Sequence, residues 1–250
     1  MIDLHNHILP GLDDGSSSLA VSVEMARVAA ADGITHIACT PHISPGVYNN
    51  DFAAIRDALQ VLLKAVNTSQ IEIGLSIGAD IHVVPDLVEC ICSRKAPTLN
   101  NTRYFLLEPP HHVCPPGLSS LVENCLSRGY VPIITHPERL AWIDYHYDAL
   151  CEMQNAGALL QVTAGSISGS FGRRARYWSE RMLEEGRVDL IATDAHHFER
   201  RPPILSRARD IVSRRMGERM ASRLTLENPG ALLADKRVAA NGVLADVPVP

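Results

Sequence analysis

The sequence predicts an α/β fold in a single domain, built from repeated strand–helix units. Three observations carry this. The chain has 250 residues and is 46% hydrophobic, enough for one large core. Seven short apolar runs recur along it, each followed by a segment of helical spacing. No linker or low-complexity stretch divides them. Such a repeat makes a barrel or a doubly wound sheet.

The first strand is expected at 2–7 and the first helix at 18–31, where Leu19, Val23, Met25, Ala26 and Ala29 form the apolar stripe. A second strand at 34–40 precedes a helix at 52–66, with Asn50 or Asp51 as its cap. Strands follow at 71–77, 104–108, 131–136, 159–163 and 188–193. Helices are expected at 118–126, 147–153, 177–183 and 205–212. Gly33, Gly129, Gly157 and Gly186 stand where helices should stop. The unit is expected over 1–235, with 236–250 a loosely held tail of no clear periodicity.

Composition excludes several classes. Net charge is −5 with mixed signs and no basic run, so a nucleic-acid partner is not expected. Arg173, Arg174 and Arg176 read as a solvated helix face. No apolar stretch is long enough to span a bilayer, so no direct membrane insertion is expected. The first strand begins at once with no basic lead; a cleaved leader is not expected, and a cytoplasmic location is. The six cysteines read as reduced packing residues. None is followed six positions later by arginine, which excludes the cysteine-loop phosphatase chemistry.

The chemistry lies at the strand ends. His5 and His7, at i and i+2, share one face of the first strand, with Asp14 in the loop beyond. The second strand runs into Cys39-Thr40-Pro41-His42, and the third into Gly78-Ala79-Asp80. Later strands end at Glu108, at His136, and at Thr193-Asp194-Ala195-His196. In a barrel these ends face one mouth, where active sites sit. Nine nitrogen and oxygen ligands exceed what one or two metals need and suit three divalent ions sharing bridges. Histidine and carboxylate ligands admit Mn, Fe, Zn or Co; Mn is the first expectation, and the ligand types alone do not choose it. Three such ions with four carboxylates and a bridging hydroxide leave a net charge of about +1, suited to a phosphoester.

Several motifs together carry a family resemblance. They are DLHNHILPGLDDGS at 3–16, CTPH at 39–42, ITHPER at 134–139, QVTAGSISGSFG at 161–172, TDAHH at 193–197, Arg201-Pro202-Pro203, and LENPGALL at 226–233. In this order they resemble the polymerase-and-histidinol-phosphatase superfamily. More narrowly, they are similar to its protein-tyrosine phosphatases of bacterial capsule and exopolysaccharide systems. The resemblance implies a distorted (β/α)7 barrel. It implies that His5, His7 and Asp194 hold one metal and share Asp80 with a second, completed by Glu108 and His136. Asp14, His42 and His196 would hold a third, and Arg139 and Arg201 would bind the phosphate.

The implied activity is phosphotyrosine hydrolysis, and the implied partner is an autophosphorylating tyrosine kinase of polysaccharide export. Two residues depart from the family pattern: Asp80 stands where glutamate is usual, and Thr163 where asparagine is. Rival readings are a histidinol-phosphate type phosphatase, an amidohydrolase-type barrel, and a weakly active metal-bound scaffold. His82, beside Asp80, reads as a solvated or hydrogen-bonded imidazole. His111 and His112 stand in a rim loop as candidates for substrate contact or proton donation.

Overall fold

The computed structural model describes residues 1–238. Its strands are β1 (Ile2–Asn6), β2 (His36–Cys39), β3 (His42–Ile43), β4 (Gly74–Ile77), β5 (Asp80–His82), β6 (Tyr104–Glu108), β7 (Val131–Thr135), β8 (Leu159–Thr163) and β9 (Leu190–Ala192). The helices between them are α1 (Leu19–Ala31), α2 (Phe52–Thr68), α3 (Leu87–Cys92), α4 (Leu118–Ser127), α5 (Ile143–Ala156), α6 (Ala164–Ser168) and α7 (Gly172–Glu184). After β9 come α8 (Ser206–Met216), α9 (Glu218–Ser222), a π-helical turn at Arg223–Glu227, and α10 (Asn228–Leu233).

Every strand pairing is parallel, and the pairings run in a circuit. β1 pairs with β2 and β2 with β4, while β3 pairs with β5, which continues through β6, β7 and β8 to β9. The circuit returns to β1 at a parallel bridge between Asn6 and Ala195. There His7 N donates to Ala195 O at 2.9 Å, and Asp194 N to His5 O at 2.8 Å.

Two of the seven expected strands are broken, which is the distortion of this barrel. The run at 34–40 holds β2, and the chain resumes as β3 only beyond Pro41, which has no N–H to give a ladder. The run at 71–77 becomes β4, with β5 beyond Gly78 and Ala79. The two breaks are adjacent: a Cβ on Gly78 would lie 2.9 Å from Thr40 Cγ2. Asp80, expected as a strand end, therefore opens a strand of its own, in register with His42.

The helix expectations hold in place but fall short in length. The stretches at 147–153 and 177–183 lie inside the longer α5 and α7, and that at 205–212 starts at the cap of α8 and ends short of its last turn. Helices α3, α6, α9 and α10 were not anticipated from the sequence. Asp51 caps α2, its carboxylate accepting from Ala54 N at 2.9 Å. Asn50 instead donates to the Leu12 and His42 carbonyls. The expected tail lies outside the described residues beyond 238, and its first residues are held: Tyr104 OH donates to Lys236 O at 2.8 Å.

The core has two layers. A larger cluster, including Ile37, Phe105, Ile134, Leu160 and Ile191, packs strands against helices. A smaller one joins Leu4, Ala38, Tyr104, Leu106, Ile133, Leu159 and Leu190 from six strands, and Leu232 of α10 packs with them. Tyr104, Leu106 and Glu108 lie on one face of β6. On β6 the strand face that builds the apolar interior thus ends in a carboxylate. No helix among the described residues is long and apolar enough to cross a membrane.

Candidate active site

All nine sequence-selected ligand residues meet at the C-terminal mouth of the strands. His5 Nε2 lies 3.1 Å from His7 Nε2, 3.4 Å from Asp80 Oδ2 and 3.4 Å from Asp194 Oδ1. His136 Nε2 lies 3.5 Å from Glu108 Oε1. Asp14 Oδ1 faces His42 Nε2 at 3.6 Å and His196 Nε2 at 3.5 Å. His42 looks two ways: its Nδ1 is 3.4 Å from Asp80 Oδ2 and 3.2 Å from Glu108 Oε2.

Local backbone explains how the strand ends converge. The register of β1 against β2 slips between Asp3 and Asn6, which re-aims the chain around His5. His136 and Asp194 follow their strands in the left-handed region, at φ 36° and 52°. That conformation is strained for residues other than glycine and recurs at functional sites. The loop after β1 folds back on its own strand, with Ser16 N donating to His7 O at 3.0 Å. Only glycine fits at position 15, because a Cβ there would lie 2.2 Å from His7 O.

The donor set calls for cations. Asp80 is fully buried, yet neither carboxylate oxygen has a hydrogen-bond partner among the described residues. Burial pulls His5 down, but Asp194 and Asp80 outweigh it and push the imidazole up to about 9. Burial likewise opposes protonation of His42, and Asp80 and Glu108 push it up to about 12. The carboxylates thus demand positive charge that water cannot supply at this depth. Five groups of three or more side chains bring one ligand atom each within 4.8 Å of one another. One is His7, Asp14, His42 and His196; another is His42, Asp80 and Glu108. The residues fit divalent metals in number, type and spacing.

Asp80 is shorter than glutamate by one methylene, but its strand begins at this residue and carries it into the cluster. It reaches both His5 and His42 at 3.4 Å.

Arg139 and Arg201 stand at the same mouth. Arg139 Nη1 donates to Asp194 Oδ2 at 2.5 Å, and Arg201 Nη2 donates to the same oxygen. The opposite oxygen, Oδ1, faces His5 and His7. Asp194 therefore separates a histidine-lined side from a guanidinium-lined side.

Sequence reasoning missed the residues that orient these groups. Asp13, its side chain fully buried, accepts from His7 Nδ1 at 2.7 Å and from His42 N at 2.9 Å. It fixes the tautomer that leaves His7 Nε2 free to face a metal. Gln161 Oε1 does the same for His5 Nδ1 at 2.8 Å. Buried Glu138 takes Thr163 N and Ser166 Oγ, tying the turn before Arg139 to β8 and α6. The Asp13-Asp14-Gly15 run was the one available signal: two carboxylates beside a loop glycine.

His82 is hydrogen-bonded as expected, with Nδ1 2.9 Å from Glu108 Oε2. His111 stacks on His136 at 4.9 Å and joins it in a group with Glu108. Tyr48 stacks on His42 at 5.6 Å. Cys39 lies in the core, where burial pushes its thiol up, the reverse of an activated nucleophile.

The comparison that decides the family covers residues 1–234, which match the model for capsular polysaccharide synthesis, CpsB/CapC. The chain belongs to the CpsB/CapC family. It is 34% identical to the tyrosine-protein phosphatase YwqE of Bacillus subtilis over 95% of this chain and 93% of YwqE. It is 35% identical to CapC of Staphylococcus aureus, covering 82% of this chain and 80% of CapC. The solved structure of YwqE, described with Streptococcus pneumoniae CpsB as a unique metal-dependent tyrosine phosphatase, superposes with a TM-score of 0.92. That match has 34% identity over 96% of each chain.

Proposed function

We propose that this CpsB/CapC-family barrel is a metal-dependent protein-tyrosine phosphatase acting without a cysteine nucleophile. The observation that carries the reading is that, within a cluster of nine histidine and carboxylate side chains, Asp194 takes two of the histidines on one oxygen and two arginines on the other. Residues 1–235 would form the catalytic unit. The substrate would be a tyrosine-phosphorylated protein, the cognate autophosphorylating kinase of polysaccharide export, met in the cytoplasm.

His5, His7, Asp80 and Asp194 would hold one divalent ion. Glu108 and His136 would hold a second with Asp80 between them, and Asp14, His42 and His196 a third. Manganese is the first expectation. Bound ions of this kind supply hydroxide at neutral pH and neutralise a phosphoryl group. The rest falls to the chain. Asp13 and Gln161 keep the Nε2 atoms of His7 and His5 pointed inward. Arg139 and Arg201, five N–H donors each, would clamp the non-bridging phosphate oxygens and favour the charge that develops on them. A phenol leaves with a pKa near 10, so a strong general acid is not required. His111, pushed down to about 4 chiefly by burial, stands neutral at the rim.

The test is phosphate release from a tyrosine-phosphorylated peptide and from histidinol phosphate, with Mn²⁺ and with a chelator. We expect metal-dependent turnover that prefers the peptide. Preference for histidinol phosphate would move the function to small-molecule metabolism, and undiminished turnover in chelator would overturn the metal reading.

A further inference from the structure

A groove leaves the mouth beside Arg201 and runs between α6 and α8. Its first part, a cavity of about 280 Å³, is lined by Ser168, Phe171, Arg200, Arg201 and Arg207 among others. It continues past Ser168 and Arg207 into a second cavity of about 350 Å³, where Arg176, Arg214 and Arg215 join the wall. No aspartate or glutamate lines either part.

The sequence of α8 explains the pattern. Arg207, Ile211 and Arg214 are spaced i, i+4, i+7 and so share one face of the helix. That face lines the groove. Arg176 and Arg215 share Glu180, and Arg201 is held on Asp194. Arg200, Arg207 and Arg214 are exposed and have no carboxylate partner among the described residues. A chain of net charge −5 thus keeps a line of unpaired guanidinium groups running out of its mouth.

We propose that this groove binds an acidic segment of the substrate polypeptide flanking its phosphotyrosine, an inference that rests on the phosphatase reading. Arg207 and Arg214 are seven residues apart on α8, a rise of about 10 Å. An extended peptide covers that distance in about three residues. Carboxylates flanking the phosphotyrosine, on the side lying along α8, would meet Arg207 first and Arg214 next. Continuity with Arg201 favours a peptide already anchored at the mouth. A flat lipid surface cannot follow a groove of this shape.

The experiment compares three fluorescein-labelled phosphotyrosine peptides binding to the full chain, read by anisotropy at low salt. One carries four glutamates after the phosphotyrosine, one carries four before it, and one has neutral flanks. The Arg207→Gln/Arg214→Gln double variant is measured beside the wild type, with p-nitrophenyl phosphate turnover as the reference for an intact mouth. One acidic peptide should bind the wild type about tenfold more tightly than the neutral one, with the advantage falling as salt rises. The double variant should reduce that advantage to less than twofold and leave p-nitrophenyl phosphate turnover unchanged. Equal binding of all three peptides, or an acidic preference that survives the double substitution, would overturn the proposal. So would equally arginine-dependent binding of phosphatidylserine vesicles. Loss of turnover on every phosphoester with the acidic preference intact would overturn the phosphatase reading and leave the groove standing.

Discussion

The guanidinium of Arg139 lies 4.3 Å from the centroid of the Phe171 ring. Arg201 approaches the same ring at 5.3 Å, so one aromatic ring supports both arginines at the mouth. Gly165 makes room, since a Cβ there would lie 2.6 Å from Phe171 Cε2. A ring in this position limits the guanidinium rotamers and aids their electrostatics. Phe171→Leu should lower kcat/KM on phosphotyrosine peptide about tenfold and weaken inhibition by inorganic phosphate in parallel, with Tm nearly unchanged. Phosphate inhibition at the wild-type level would show that the ring does not position the arginines.

Asp13 makes a similar contribution on the histidine side. Its carboxylate receives His7 Nδ1, His42 N and Gly15 N. Replacing such an orienting partner costs about 10- to 100-fold in metal affinity. Asp13→Asn should weaken Mn²⁺ binding by that order in titration calorimetry, with the fold retained by circular dichroism. Unchanged affinity would remove Asp13 from the site.

How much of this was legible follows from where the information lies. The paired histidines of β1 and the polar ends of β6, β7 and β9 could be read because strand alternation and barrel geometry place strand ends together. Asp13, Gln161 and Phe171 could not, because their partners are brought to them by tertiary packing. Gln161 lies 156 residues from His5 in sequence. The broken strands were half legible. Pro41 announces a gap in the ladder, but the matching bend at Gly78 depends on the approach of Thr40 from the neighbouring strand. The short α6 and α9, five residues each, bury too few side chains for a periodic pattern to emerge.

Gly15 offers a sharper test of the loop that presents Asp13 and Asp14. A methyl group there would fall 2.2 Å from His7 O and 2.4 Å from His7 Cβ, both on the strand that carries the site. The loop must move away, which costs about 1–3 kcal/mol. Gly15→Ala should therefore lower Tm and reduce metal-dependent turnover more than tenfold, while Gly11→Ala, strained by its φ of 70° but with open space around it, should lower Tm and still retain more turnover. Wild-type activity in Gly15→Ala would mean that the loop closes differently.

Asp189 stands just before β9, at the opposite end of the strand from Asp194, and gives the fold a pH dependence of its own. It is 4% exposed. Burial, opposed by hydrogen bonds from Leu160 N and Gln154 Nε2 at 2.9 Å and 2.8 Å, leaves its carboxyl raised to about 6. Between the ordinary aspartate value and that one, the folded chain keeps a proton that the unfolded chain has lost. Its contribution to stability therefore falls as pH rises through this window, by about 3 kcal/mol in all. Asparagine keeps a carbonyl oxygen for both hydrogen bonds and does not titrate. Urea unfolding of wild type and Asp189→Asn at pH 4, 5, 6 and 7 should show the difference moving in the variant's favour by the greater part of that amount, with most of the change complete by pH 6. A difference that stays constant across the series would mean that Asp189 ionises in the folded protein as readily as in the unfolded chain.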